Sequence, residues 1–442
     1  MPDQTGKQLP TDMQPAELLQ NLIRFDTTNP PGNEGECIKY IEKIFSGIGL
    51  QTKIFAKDMN RPNLVTRLRG RGDKPPLLIY GHVDVVTASG QEWRYPPFEG
   101  RRIDGFVWGR GALDMKGGVA MMLAAILRVC VQNIKPAGDI IFAALSDEEA
   151  GGDLGAGYLV EDHADYFSGT KYAIGEFGGF SMHVGNKCFY PIMVAEKQAC
   201  WIKGLIKGPA GHGAIPVRGG AMASLGRMLG LLDRHRLPVH ITPVTRQMIE
   251  TMALHLGFPS GLFLRGLLQP GLTDLILKLL GGNVSHFDPL LHNTVNATIV
   301  NGGKKVNVIP SEIEVHLDGR ILPGFEPDDF FNELKTIVGN DIDFEIEHYD
   351  AFHGKPDMGL FDTLASVLKE LDQDGISLPM MLPGVTDGRH FAKLGIQTYG
   401  FLPMRLPPEF NFSKLIHAAD ERIPEDALNF GADAIYRLIE RY

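Results

Sequence analysis

His82 and Asp84 stand two residues apart at the end of the apolar run LLIYGHVDVV, residues 77–86. Residues at that spacing share a face of an extended strand, so the two side chains can touch. This is how a metal-binding imidazole has its second ring nitrogen held by a carboxylate. A core histidine satisfied by a neighbouring aspartate fits the stretch equally well. Asp114, in GRGALDMKGG, precedes an apolar helical stretch whose amino terminus favours an anion, as a metal ligand or as a plain helix cap. Glu148 and Glu149 follow an apolar strand in FAALSDEEAGG. Adjacent residues tend to point apart, so one can ligate a metal while the other faces a bound water, or the pair is a solvated acidic turn. Glu176 closes KYAIGE as a further ligand or a cap, and His417 in FSKLIHAADE is a ligand or a surface histidine. Open α/β sheets bind ligands at the carboxyl ends of their strands, and several of these residues fall at the ends of apolar runs.

The elements that must carry them alternate. Helices are expected near residues 16–25 and 35–48, with the turn-rich TTNPPGNE between them. NLVTRLRG, PLLIYGHVD, DIIFAALSDEE and KYAIGE read as strands, and KGGVAMMLAAILRVCVQ is apolar nearly all round, as in a helix buried on a sheet. This predicts an α/β fold with a mainly parallel sheet and helices on both faces. Near residue 195 the pattern changes. KQACWIKGLIKG, NATIVNGG, NVIPSEIEVHLDGRIL and DFEIEHYD alternate as strands open to water on one side, predicting an inserted α+β lid over 195–350. The first pattern resumes over 351–442, so residues 1–194 and 351–442 together form the catalytic domain.

The 442 residues are 44% hydrophobic and 22% charged, with a net charge of −10, which disfavours nucleic acid or an anionic membrane as partner. The cysteines Cys37, Cys130, Cys188 and Cys200 lack CxxC spacing, as reduced thiols of a cytoplasmic protein would, so any metal must use His, Asp and Glu. The polar start MPDQTGKQLPTDMQ has no apolar leader core. GLFLRGLLQPGLTDLILKLLGG is too often interrupted to span a membrane.

In chain order, GHVDVV, WRYPPFEG, GRGALDMKGG, SDEEAGG, GHGAIP, NVIP, DGRILP and GVTDGRHF resemble the M20 metallopeptidase family of desuccinylases, deacetylases, aminoacylases, carboxypeptidases and carnosinase-like dipeptidases. The resemblance implies a catalytic domain with two zinc ions per subunit, or cobalt or manganese, and a lid through which the chain forms a homodimer. By position, Asp114 bridges the metals, His82 and Glu176 complete one site, and Glu149 and His417 complete the other. Glu148 becomes the general base, Asp84 the partner of His82, and His212 in GHGAIP a donor to the oxyanion, from the other subunit in many relatives. Arg320, Arg389 and Asn307 fall in motifs associated with substrate binding, and an arginine fork suits a substrate carboxylate. Paired zinc ions bring the pKa of a water toward about 7. The expected activity is hydrolysis of an amide bond in a small peptide or N-acyl amino acid, with a carnosinase-like dipeptidase as a variant. The other classes considered are a catalytically silent dimeric binding protein on the same fold and a nucleotide-binding protein. The second lacks a phosphate loop.

Two features depart from the family pattern. FGGF follows Glu176 where relatives often have a proline or another small-residue turn. The lid carries an apolar insertion over about 240–287, in which Leu272, Leu275, Ile276, Leu279 and Leu280 are spaced as one helical face ended by Gly281. Such a stripe reads as core, dimer interface or apolar substrate pocket.

Overall fold

A computed structural model describes residues 13–281, 286–351 and 355–442. Residues 1–12, on which the leader reading rests, lie outside the described residues, as does the side chain of Leu280. The chain divides into one unit of Met1–Val194, Asp357–Met380 and Thr386–Tyr442 and another of Ala195–Pro356 and Met381–Val385. Residues 351–356 and 381–385 thus fall in the second unit, outside the expected lid. A main-chain bond from Lys197 N to Leu382 O of 2.9 Å ties the latter segment to the start of that unit.

The first unit is built on a sheet of Thr52–Phe55, Asn63–Leu68, Ile140–Leu145, Leu77–His82, Tyr172–Gly175, Gln397–Gly400, Lys187–Glu196 and Ile376–Leu382, in that order. The central strands, from Ile140–Leu145 to Gln397–Gly400, run parallel, and the flanking pairs described are antiparallel. Leu77–His82 and Ile140–Leu145 are buried at every position, as unbroken apolar runs require in a sheet covered on both faces. Lys116–Val131 is a helix buried on almost every side, and its glycines and alanines allow close approach to its neighbours. Lys187–Glu196, not expected from sequence, is a strand whose apolar stretch lacks alternation because both its faces are covered. A small sheet pairs Arg422–Pro424 with Phe106–Trp108, and the latter with Arg101–Ile103. It draws the segment after His417 to the segment before Asp114.

The second unit carries an antiparallel sheet in the order Thr294–Gly302, Glu312–Ile321, Gln198–Lys207, Asp343–Tyr349. Ile202, Ile206, Val315 and Leu317 share a core with Leu225 and Met228 of one helix and with Phe330 and Leu334 of another. NVIPSEIEVHLDGRIL is not one strand: it splits around Pro310 into Val308–Ile309 and Glu312–Ile321, since proline has no N–H to give a ladder. In the insertion, the helix Pro270–Leu280 turns Leu272, Leu275 and Leu279 outward and buries Thr273 and Leu277. The core reading of the stripe is therefore corrected, because the face that packs is the one through Thr273 and Leu277. No helix among the described residues is long and apolar enough to cross a membrane.

Candidate metal centre

Parallel pairing places the carboxyl ends of the central strands along one edge. His82 is in register with Leu145, and Ile79 with Ile174, so His82, the turn holding Glu148 and Glu149, and Glu176 all leave the sheet there. Asp114 arrives from the loop before the helix Lys116–Val131, and His417 from the loop before Arg422–Pro424.

Asp114 lies at the centre. One of its oxygens is 3.1 Å from His82 Nε2 and the other 3.1 Å from His417 Nε2. Glu176 approaches His82 Nε2 at 3.4 Å and Glu149 approaches His417 Nε2 at 3.4 Å. Two groups able to hold a metal ion result, His82–Asp114–Glu176 and Asp114–Glu149–His417, each with its donor atoms within 4.8 Å of one another. Asp114 belongs to both. The helix-cap alternative does not hold for it, since Met115 is the N-cap and no side chain caps that helix. Glu148 places a carboxylate oxygen 4.0 Å from His82 Nε2. Glu148 and Glu149 are largely covered, with 14% and 7% of their side chains exposed, so they are not a solvated turn.

Two buried carboxylates hold the loops that present these groups. The strand ends at His82, and Asp84 lies just past it. His82 Nδ1 meets the Asp84 main-chain carbonyl at 3.0 Å and its carboxylate at 3.5 Å, so the carbonyl is the closer partner. The Asp84 carboxylate instead accepts the N–H groups of Glu148 and Glu149, both at 3.1 Å, and so positions the acidic turn. Glu421 accepts the N–H of Leu113 at 2.7 Å and of Asp114 at 3.2 Å, and pairs with buried Arg110 at 2.7 Å. Arg110 also donates to the carbonyls of Ala418 and His417 at 3.2 and 3.3 Å, so one ion pair holds both the Asp114 loop and the His417 loop. His417 itself has φ +59°, a left-handed conformation that a histidine keeps only when its surroundings enforce it.

The charges fit a cation. Burial, then the nearby Glu176 carboxylate, raise the Glu148 pKa well above the usual range. Burial also raises Glu149, whose Oε1 is buried with no hydrogen-bond partner. Asp114 is held well below the usual range: burial opposes this, but hydrogen bonds from His417 and then His82 outweigh it. Carboxylates crowded around two imidazoles, one with an orphaned oxygen, are an oxygen and nitrogen donor set suited to zinc, cobalt or manganese.

Other residues singled out from sequence lie differently. Arg389 donates to the carbonyls of Gly151 at 2.6 Å and Thr386 at 3.1 Å, bracing the loop after Glu149. Arg320 forms a two-point ion pair with Asp318 at 2.7 and 3.1 Å, the ordinary structural use of its fork. In the second unit, His212 is exposed on the short strand Gly211–His212, opposite Val308, and its Nδ1 accepts the Ala214 N–H at 3.1 Å. The Asn307 carbonyl accepts from Gly213 N at 2.9 Å, so GHGAIP and NVIP are neighbours. Sequence reasoning missed Asp387, Arg110 and Glu421. Asp387 is buried, neither of its oxygens has a hydrogen-bond partner, and burial pushes its pKa up to about 8. All three stand inside quoted motifs, and the signal that would have found them is a charge placed within an otherwise small or apolar stretch.

Two ligand groups sharing a carboxylate, on the carboxyl edge of a parallel sheet with a further glutamate beside them, define a metallohydrolase. Residues 78–441 match Peptidase family M20/M25/M40, and the chain belongs to that family. It is 28% identical to the probable carboxypeptidase S-like 2 of Dictyostelium discoideum, over 83% of this chain and 71% of that protein. It is 27% identical to the N-fatty-acyl-amino acid synthase/hydrolase PM20D1 of Bos taurus, over 96% of this chain and 87% of that one. In fold it is similar to the M20 family metallo-carboxypeptidase Sso-CP2 from Sulfolobus solfataricus, with a TM-score of 0.65 and 16% identity over 96% and 97% of the two chains. The chain is thus an enzyme that hydrolyses amide C–N bonds.

Proposed function

We propose that this enzyme cleaves the amide of N-acyl amino acids, long-chain acyl groups included, with two zinc ions per chain. The observation that carries the reading is the sharing of Asp114 between the two ligand groups, with Glu148 next to them. The names of the two relatives supply the substrate class, since a carboxypeptidase and an N-fatty-acyl-amino acid hydrolase both act on an amide beside a carboxylate. His82, Asp114 and Glu176 would hold one ion, and Asp114, Glu149 and His417 the other. The metals would supply a Lewis acid and acidify a water at neutral pH.

The chain's own residues do the rest. Glu148 takes the proton of the attacking water on its carboxylate and hands it to the leaving nitrogen. Its raised pKa suits a group that must grip a proton between the two transfers. Asp84 holds the turn under Glu148, and Arg389 braces the far side of that turn. In a dimer, His212 of the partner subunit donates a hydrogen bond to the developing oxyanion. With the forks of Arg320 and Arg389 engaged inside the protein, the carboxylate preference rests on the substrate class and not on either arginine.

The chain acts as a homodimer joined through its second unit. The strand Thr294–Gly302 supports this: it is the edge of its sheet and is exposed from Asn296 onward, a rim on which a second copy can add its own strand. A screen of N-acyl amino acids of graded acyl length against dipeptides, with the protein's mass in solution measured alongside, tests these statements. Turnover of N-acyl amino acids by a dimer is expected. Dipeptide hydrolysis without N-acyl hydrolysis would overturn the substrate class.

A further inference from the structure

The turn-rich TTNPPGNE is clamped against the chain that carries the candidate metal centre. Thr27 Oγ1 donates to the Val83 carbonyl at 2.6 Å, Asn29 N to the Val85 carbonyl at 2.9 Å, and Val85 N to the Thr27 carbonyl at 3.1 Å. The segment therefore grips the chain on both sides of Asp84. From it, Asn29 Nδ2 donates to Asp84 at 2.9 Å and to Asp147 at 3.2 Å. The same Asp147 oxygen accepts Arg61 Nη1 at 2.7 Å, while Arg61 Nε and Nη2 grip Glu34 at 3.1 and 2.6 Å. All five side chains are buried. Gly32, at φ +79°, leaves room for the guanidinium, since a Cβ there would lie 2.1 Å from Arg61 Nε.

Asp147 is the residue before Glu148. It sits at φ +74°, and every acceptor it has is committed: Oδ1 to Arg61 and Asn29, Oδ2 to Leu154 N at 2.9 Å, and its carbonyl to Gly152 N at 2.7 Å. A left-handed aspartate persists only if its surroundings hold it, and Arg61 is the cation that does so. Asp84 meanwhile holds the N–H groups of Glu148 and Glu149 and contacts His82, so Asn29 ties the two ends of the acidic turn's support together.

We propose that Arg61, with Asn29, is a positioning residue that sets the acidic turn against His82, and thereby sets metal affinity and the reach of the general base. The proposal rests on the hydrolase reading above. Neither residue touches a candidate ligand; Arg61 acts through Asp147, and Asn29 through Asp84 and Asp147.

Asn29→Ala and Arg61→Lys separate this role from plain stabilisation. The first leaves the ion pairs of Arg61 intact and cuts the links from Asn29 to Asp84 and Asp147. The second keeps the charge and loses the fork. The full chain, stripped of metal, is titrated with zinc against a chromophoric chelator, and kcat, KM and the melting temperature are measured on zinc-loaded protein. Loss of a residue that supports ligands typically weakens metal binding about 10–100-fold, and that weakening is expected in both variants, with kcat falling more than KM changes. Variants that melt lower yet keep wild-type zinc affinity and kcat would overturn the proposal, and Asn29→Ala decides alone if Arg61→Lys does not fold. Wild-type protein that binds no zinc would overturn the metal assignment and this proposal with it. Wild-type binding with unchanged variants overturns this proposal only.

Discussion

Glu148 and Glu149 are adjacent yet face different partners. Glu149 reaches His417 at 3.4 Å, whereas Glu148 stands 4.0 Å from His82 and has no closer ion-pair partner among the described residues. Glu148→Gln is expected to retain metal and to lower kcat by about a hundredfold or more, the usual cost of removing an acid–base group. Glu149→Gln is expected to lose metal. Elemental analysis beside steady-state kinetics checks both, and equal metal loss in the two variants would contradict the division of roles. A second expectation concerns protons. In the metal-free protein, hydrogen bonds to Asp114 and then Glu149 push the His417 pKa up to about 10, from an ordinary 6.5. A histidine raised on folding stabilises the fold in its protonated form. That contribution is full below about pH 6.5 and is lost as pH rises through about 10. A metal must displace the same proton, so zinc binding should tighten as pH rises and release protons, which calorimetry in buffers of different ionisation enthalpy would record. Binding independent of pH would remove His417 from the ligand set.

At the scale of elements, the helix Pro270–Leu280 gives the sharpest check. Leu277 is 4% exposed and Leu275 is 54% exposed. Leu277→Ala should therefore cost about 2–5 kcal/mol and Leu275→Ser no more than about 0.5 kcal/mol in denaturant melts. The reverse order would restore the stripe to the core. This helix also shows where sequence reasoning stops. Spacing identified a helix ended at Gly281, but periodicity alone cannot tell a packed stripe from an exposed one when apolar residues lie on more than one face. The parallel strands were legible because burial on both faces leaves an unbroken apolar run with a charge at its end, as in LLIYGHVD. Lys187–Glu196 was missed for want of a second marker: its apolar stretch ends in no ligand. His82, Glu149 and Glu176 stood out as charges at or just past strand ends, whereas Asp114 and His417, on loops, were legible as ligands only through the family resemblance. The groups that hold them, Glu421 on the Asp114 loop and Asn29 on Asp84, are brought close by pairings across 307 and 55 residues, which no local pattern reveals.

For the whole molecule, the net charge of −10 repels an anionic substrate at long range, so a preference for one must come from the site itself. A free acid beside the scissile amide should be preferred over its C-terminal amide by tens to about a hundredfold in kcat/KM, the scale of a hydrogen bond to a charged group. Equal turnover would contradict carboxylate recognition. Under the proposed function, the two groups that meet at Asp114 hold the metals on which hydrolysis depends. The most direct measurement is titration of the full-length metal-free protein with zinc while hydrolysis of an N-acyl amino acid is followed. The expected result is no activity at the start and a rise that saturates at two equivalents per chain. Full activity in protein shown by elemental analysis to be free of metal would contradict it.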